Sequence, residues 1–345
     1  MLSSLSLPFV VGAFVLAGLV IAGLGVRMTA LADRLADRTG LGEAVVGGVL
    51  LGLATSLSGT VVSVTAALDG RASLAFANAV GGIAAQTAFL ALADLLFRRI
   101  NMEHAAAEIA SLVQTALLAL LLSVTLVAAT GPEVAVWGVH PASLVLVIVY
   151  VLGTRTASRV RQAPMWHPER TLETREDEPE EDQAPPGSGG GTGPLIGQFM
   201  VLALVLGVAG WVISKTGGRL SDLLGISETA IGALLTAVTT SLPELVTTLA
   251  AVRRGALQLA IGGIIGGNTF DVLFLTASDV AYRDGSLYHA VGTADLFWLA
   301  IGAAMSMVLL LGLVVRERQG IAGIGFESVG VLGLYGLAIA VQVMR

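Results

Sequence analysis

Cysteine is absent from the 345 residues, which excludes disulfides, thiolate metal centres and cysteine nucleophiles. Any metal ion must therefore be held by oxygen or by histidine nitrogen. Charge is scarce as well: Asp, Glu, Lys and Arg together make up 13% of the chain, about half the share of an ordinary soluble domain. With a net charge of −6 there is no basic surface for nucleic acid. No Lys or Arg precedes the first apolar run at residues 7–26, whereas a cleavable signal peptide needs a positive leading region. That run is expected to be retained as a helix.

Apolar sequence is what the chain has in abundance, at 55% hydrophobic residues. Five apolar runs (7–26, 41–67, 72–97, 105–129 and 137–152) precede a polar stretch and five follow it (195–214, 226–252, 256–282, 289–315 and 320–343). None shows the polar–apolar alternation of an outer-membrane strand, so their backbones must bond within helices. The expected fold is an all-α polytopic membrane protein with ten transmembrane helices set in the lipid bilayer. Between the halves, residues 154–194 run from an Arg-rich stem through an acidic block into Pro, Gly and Ser, the composition of a disordered, self-repelling tether. The loops on the tether's side hold fourteen Lys and Arg, and those on the other side five. The positive-inside rule then places the tether in the cytoplasm and both termini outside the cell's inner (plasma) membrane. Each half, 1–153 and 195–345, has an odd number of spans, so the two would be inverted.

Sliding the chain on itself by 185 residues aligns 43–98 with 228–283 without a gap, and about 17 of the 56 positions are identical. Thr55, Ser56 and Leu57 fall on Thr240, Ser241 and Leu242, Gly81 and Gly82 on Gly266 and Gly267, and Asp94 on Asp279. The layout is that of two five-helix inverted repeats, an architecture that puts a binding site at the midplane where the repeats meet.

Ionisable residues within spans are functional candidates. Asp69, Asp222 and Asp284 lie in breaks, and Glu43, Glu108, Glu228, Asp295 and Glu327 lie in or near first or last turns, where solvated or interfacial roles suffice. Asp94 and Asp279 each have an arginine four residues on, Arg98 and Arg283, the spacing of an ion pair on one helix face. Glu244 and Asp271 remain, each mid-run with no cation on its own helix. Glu244 follows Pro243, which breaks helical bonding and frees carbonyls for hydroxyls or an ion. Asp271 ends a Gly-rich stretch whose small residues permit close helix approach.

Thr240-Ser241-Leu242-Pro243-Glu244, then Arg253-Arg254-Gly255, then the Gly-rich run ending Asn268-Thr269-Phe270-Asp271 resembles the second α-repeat of the cation/calcium antiporter superfamily, which includes the sodium/calcium exchangers. The resemblance implies a midplane site that binds Ca²⁺ and Na⁺ or H⁺ alternately, with no cofactor. It assigns Glu244, Asp271, Thr240 and Ser241 from the second repeat and Thr55, Ser56 and Gln86 from the first. The first repeat departs from the family pattern: Gly59 stands where the family has Glu, Ser58 where it has Pro, and Gln86 where Asn is usual. Gly59 is expected to leave a space that water fills, and a glutamate restored there to raise Ca²⁺ affinity.

Ca²⁺ prefers six to eight oxygens with carboxylates among them, whereas Na⁺ or a proton asks for less charge. Three readings therefore stand beside one another: Ca²⁺ exchanged for Na⁺ or H⁺, a monovalent Na⁺/H⁺ exchange, and a transport-inactive relative. An intramembrane serine protease built on Ser58 would need a histidine base, and His104, His140, His167 and His289 all lie at run ends or in the tether.

Overall fold

The computed structural model describes residues 6–39, 46–97, 102, 108–162, 192–317 and 325–345, which are almost wholly helical. The helices in chain order are α1 (Leu7–Thr39), α2 (Val46–Leu68), α3 (Ala72–Phe97), α4 (Ile109–Thr130), α5 (Pro141–Gln162) and α6 (Thr192–Leu224). After them come α7 (Glu228–Thr240), α8 (Leu242–Arg254), α9 (Leu257–Ala281), α10 (Thr293–Val315) and α11 (Phe326–Met344). Among the described residues eight of these are long and apolar enough to cross a bilayer. The bent pair α7 and α8 makes a ninth, and α2 contributes a shorter apolar stretch, Ala54–Leu68.

The offset of 185 extends beyond residues 43–98 and 228–283. Adding it to both ends of α1 gives the two ends of α6, and the starts of α3 and α5 map onto the starts of α9 and α11. The turns correspond too. Gly70 after α2 and Gly255 after α8 both take left-handed backbone, with φ of 74° and 82°, a conformation that closes a helix without strain only at glycine. The polar stretch is shorter than expected, because residues 154–162 continue α5. Arg159 and Arg161 sit in its last turn, where cations offset the helix dipole, and Arg161 pairs with Glu108 at 3.3 Å. The acidic block and the Pro, Gly and Ser tract lie almost wholly outside the described residues.

Helices in lipid gain little from hiding apolar side chains and associate through close packing of small residues. Accordingly α3, with Ala75, Ala77, Ala79, Ala84 and Ala85 all fully buried, forms the centre: 78% of its span is enclosed, against 33% for α1 and 22% for α6. Gly81 of α3 lies against Ala233 of α7, and Gly232 of α7 against Ala77 of α3. The rim helices dock at corresponding points. Gly25 of α1 touches Pro243, and Gly210 of α6 approaches the Ser58 carbonyl so closely that a Cβ would lie 2.7 Å from it. Both pairs obey the same offset.

Asp279 does not act as expected, and Asp94 is held in a matching way. Asp279 accepts from Ser143 Oγ at 2.7 Å, the His140 N–H at 2.8 Å and the Leu287 N–H at 3.0 Å, while Arg283 is exposed and takes no part. Asp94 accepts from Ser328 Oγ at 2.8 Å, the Met102 N–H at 3.2 Å and the Gly325 N–H; Arg98 lies outside the described residues. Ser143 and Ser328, like His140 and Gly325, are themselves 185 apart. Each carboxyl thus clasps the N-terminus of the last helix of the opposite half, where free N–H groups and the helix dipole favour an anion.

Two further acids are deeper than their position at helix starts implied. Asp295 is fully buried and accepts from Ser73 Oγ, Thr229 Oγ1 and the Gly292 N–H at 2.7–2.9 Å. Glu327 is fully buried against Gly312. Other acids do lie near the surface: Arg71 bridges Asp222 and Glu228 at 2.6 and 2.7 Å, and Lys215 bridges Asp69 at 2.6 Å, strapping α6 to the α2–α3 turn.

Removing either clasp strands several buried donors, at a cost of about 1–3 kcal/mol per group. Asp94→Ala and Asp279→Ala are therefore expected to lower the unfolding temperature of the detergent-purified protein by similar amounts, and a variant as stable as wild type would show that its clasp carries no load.

Candidate functional site

The helix that begins at Glu228 does not run straight. A π-helical turn spans Ile231–Thr236, helical bonding resumes to Thr240, and the chain then bends by 47° into α8. Pro243 in the first turn of α8 has no N–H to give the preceding turn, which explains the break. Glu244 sits in that same first turn, where the helix N-terminus favours a carboxylate. Ser241 is the break itself, with φ −93° and ψ 5°. Thr240 Oγ1 donates back to the Thr236 and Ala237 carbonyls at 3.0 and 3.2 Å, leaving its lone pairs to face outward from the helix.

Four elements converge on Asp271 of α9, which is 1% exposed. Ser56 Oγ of α2 donates to its Oδ1 at 2.6 Å, and Gln86 Nε2 of α3 donates to its Oδ2 at 2.6 Å. Gln86 Nε2 also reaches Ser241 Oγ at the break, at 3.2 Å. Gln86 and Asp271 are 185 residues apart, as are Ser56 and Ser241, so the Ser56–Asp271 bond and the Gln86–Ser241 bond are counterparts. A residue that touches its own counterpart lies on the axis relating the two halves. The glycines at the other matched positions keep the space narrow and bare: a Cβ on Gly82 would meet Asp271 Oδ2 at 3.9 Å, and one on Gly267 would meet Gln86 Oε1 at 3.3 Å.

Three buried oxygens here accept no hydrogen bond: Gln86 Oε1, Glu244 Oε2 and Asn268 Oδ1. A buried acceptor without a donor costs free energy. Glu244 is 6% exposed and interacts electrostatically with Asp271. Thr55 is half-buried on α2, one residue from Ser56. Among the described residues no three of Asp, Glu and His converge.

Gly59 does not open onto water-filled space. Phe274 of α9 lies against it, with Cε2 2.7 Å from where a Cβ would stand, and Thr240 Oγ1 is 3.7 Å from that point. Phe274 also stacks edge-on against Phe270 at 6.4 Å between ring centres. The only earlier sign of Phe274 was that it matches Phe89 across the repeat. Asn78 was missed altogether: its Nδ2 donates to the Gly59 carbonyl at 3.2 Å and to Ser63 Oγ at 2.9 Å, and its Oδ1 accepts from Thr236 Oγ1 at 2.7 Å. It ties the α2 backbone behind the site to the π turn, and its counterpart is Gly263, so the repeat gave no signal. The described histidines stay away from Ser58: His140 Nδ1 accepts from the Ala142 N–H, and His289 pairs with Ser286 and the Gly131 carbonyl.

Comparison with known proteins bears on the same arrangement. The profile of the Sodium/calcium exchanger protein family matches residues 9–157 and 194–344. The chain belongs to that family. It is thus an integral membrane protein of a transporter family, within the cation/calcium antiporter superfamily. Similar relatives include the sodium/calcium exchanger MaX1 of Methanosarcina acetivorans, 35% identical over 94 residues (26% of this chain, 25% of that one), and the inner membrane protein YrbG of Escherichia coli, 31% identical over 87 residues (25% and 27%). The matched stretch thus spans about a quarter of each of these two relatives. Among solved structures, the H⁺/Ca²⁺ exchanger CAX aligns with a TM-score of 0.68 at 14% identity, over 97% of this chain and 86% of that one. The sodium-calcium exchanger NCX_Mj aligns with a TM-score of 0.59 at 20% identity, over 96% and 98%. At such identities these two speak for the fold of this exchanger-family chain.

Contact with Phe274 sets a steric cost against Gly59→Glu. Alone, the substitution overpacks the site and is expected to destabilise the protein by about 1–3 kcal/mol; combined with Phe274→Ala, most of that loss is recovered. A double-mutant cycle on thermal unfolding reads the coupling, and additive costs would show that the two positions act independently.

Proposed function

We propose that this chain is a secondary active antiporter that carries Ca²⁺ in exchange for Na⁺ or H⁺ by alternating access. Glu244 and Asp271 supply the charge, Thr240, Ser241, Thr55 and Ser56 hydroxyl oxygens, and Gln86 an amide oxygen. The observation that carries this reading is the bonding of Asp271 to Ser56 and Gln86 of the other half, with the uncapped Glu244 oxygen beside it. Two carboxylates balance one Ca²⁺, and hydroxyl and amide oxygens suit a hard cation. The printed names of MaX1, a sodium/calcium exchanger, and CAX, an H⁺/Ca²⁺ exchanger, point the same way.

The architecture proposed with it has ten spans, α7 and α8 counting as one and α2 completing the set, in two inverted five-helix repeats within 1–153 and 195–345. Residues 154–194 carry the cytoplasmic connection, and both termini face outward from the inner (plasma) membrane. The distribution of Lys and Arg supports this orientation. The rim helices α1 and α6, seated on the core at Gly25 and Gly210, are the elements that would move to expose the site alternately.

A monovalent Na⁺/H⁺ exchange is favoured by one observation, the ring of Phe274 where a first-repeat carboxylate would project. Proteoliposomes separate the readings. Ca²⁺ uptake driven by an outward Na⁺ or H⁺ gradient, and lost in Glu244→Gln, is the expected result; Na⁺ uptake against a proton gradient with no Ca²⁺ flux would transfer the assignment to the monovalent reading, and no flux of any kind would mark a transport-inactive relative.

A further inference from the structure

The contact between Gly59 and Phe274 bears on how much charge the site can carry. Gly59 occupies the position that corresponds to Glu244, and the Phe274 ring lies where any side chain on it would begin. The other position corresponding to a site acid, that of Asp271, is held by Gln86, a neutral amide bonded directly to that acid. Each half could have contributed a pair of acids, and the first contributes none. The remaining groups in contact, Ser56, Ser241 and Thr240, are hydroxyls.

We propose that Phe274, seated on Gly59, limits the site to two negative charges and thereby makes the exchange electroneutral. The inference rests on the cation-exchange reading above. A site with two carboxylates and neutral oxygens is balanced by one Ca²⁺, by two Na⁺ or by two H⁺. A third monovalent ion would have to be buried without a counter-charge, which the low-dielectric surroundings penalise heavily. Both halves of the transport cycle then cross the membrane without net charge, whichever cation rides in each. Phe274 acts as a specificity determinant by exclusion: it keeps solvent and a further ligand out of the Gly59 side and touches the ion's surroundings through its ring edge.

Electroneutral exchange does no work against the membrane potential. An exchanger moving one net charge per turnover would instead shift its equilibrium ion ratio by about fifty-fold for each 100 mV. The test uses the full chain in proteoliposomes, with the potential clamped by K⁺ and valinomycin at zero and at about −100 mV across a fixed Na⁺ or H⁺ gradient. The expected result is a steady-state Ca²⁺ ratio that agrees within about twofold at the two potentials; a shift approaching fifty-fold would overturn the proposal while leaving cation exchange itself intact. If Ca²⁺ is not carried, radiolabelled Na⁺ exchanged for H⁺ under the same clamp reads the same charge balance, so failure of the calcium reading and failure of this one are distinct; the absence of any exchange overturns both. Gly59→Glu with Phe274→Ala adds a third carboxylate in the vacated volume and is expected to introduce potential dependence. A folded double variant that remains indifferent to potential would show that this contact does not set the charge.

Discussion

The hydrogen bond between Gln86 and Asp271 is the constraint around which the rest is arranged. It joins corresponding residues of the two halves and so marks the axis between them. Everything that must be shared by both halves has to meet there, and close approach of α3 to the α7–α8 break and α9 is the condition for it. The alanines of α3, the glycines at 81, 82, 232 and 267, and the proline break all serve that approach. Replacing the pair by two carboxylates would set like charges 2.6 Å apart; an amide opposite an acid turns the same contact into a bond.

Hydrogen-bond supply sets Asp94, Asp279 and Asp295 apart from Asp271 and Glu244. Asp94, Asp279 and Asp295 each receive at least three donors, mostly from helix N-termini, so their charge is spent on holding helices together. Asp271 receives two, from side chains, and one oxygen of Glu244 receives none. Burial depth fails to make this distinction, because Asp295 is as deeply enclosed as any site residue. At Asp271 and Glu244 a shortage of donors is, in a low-dielectric interior, a demand for positive charge.

Much of this was legible in the sequence. The helical membrane class followed from composition, the repeat from a gapless self-alignment, and the expectation that Ser56, Gln86, Ser241 and Asp271 meet from the family resemblance. The limits have a physical pattern. Arg283, four residues from Asp279, is local information, whereas the groups that hold Asp279, like those that hold Asp94, lie mostly at helix N-termini remote in sequence. Asp295 and Glu327 were read as interfacial because they begin helices, yet the neighbours that enclose them are on other helices. Gly59 read as a deletion, since the ring that fills the gap belongs to a helix more than 200 residues later. The rim helices α1 and α6 keep their packing glycines, Gly25 and Gly210, at matched positions.

The constant offset carries a consequence for what kinds of change the molecule can absorb. One inserted residue turns an α-helix by about 100°, enough to swing Gly25 away from Pro243 or Gln86 away from Asp271. Substitution has removed most identity between the halves, even within their best-matched stretch, while helix starts keep the offset from Leu7 and Thr192 at one end to Pro141 and Phe326 at the other.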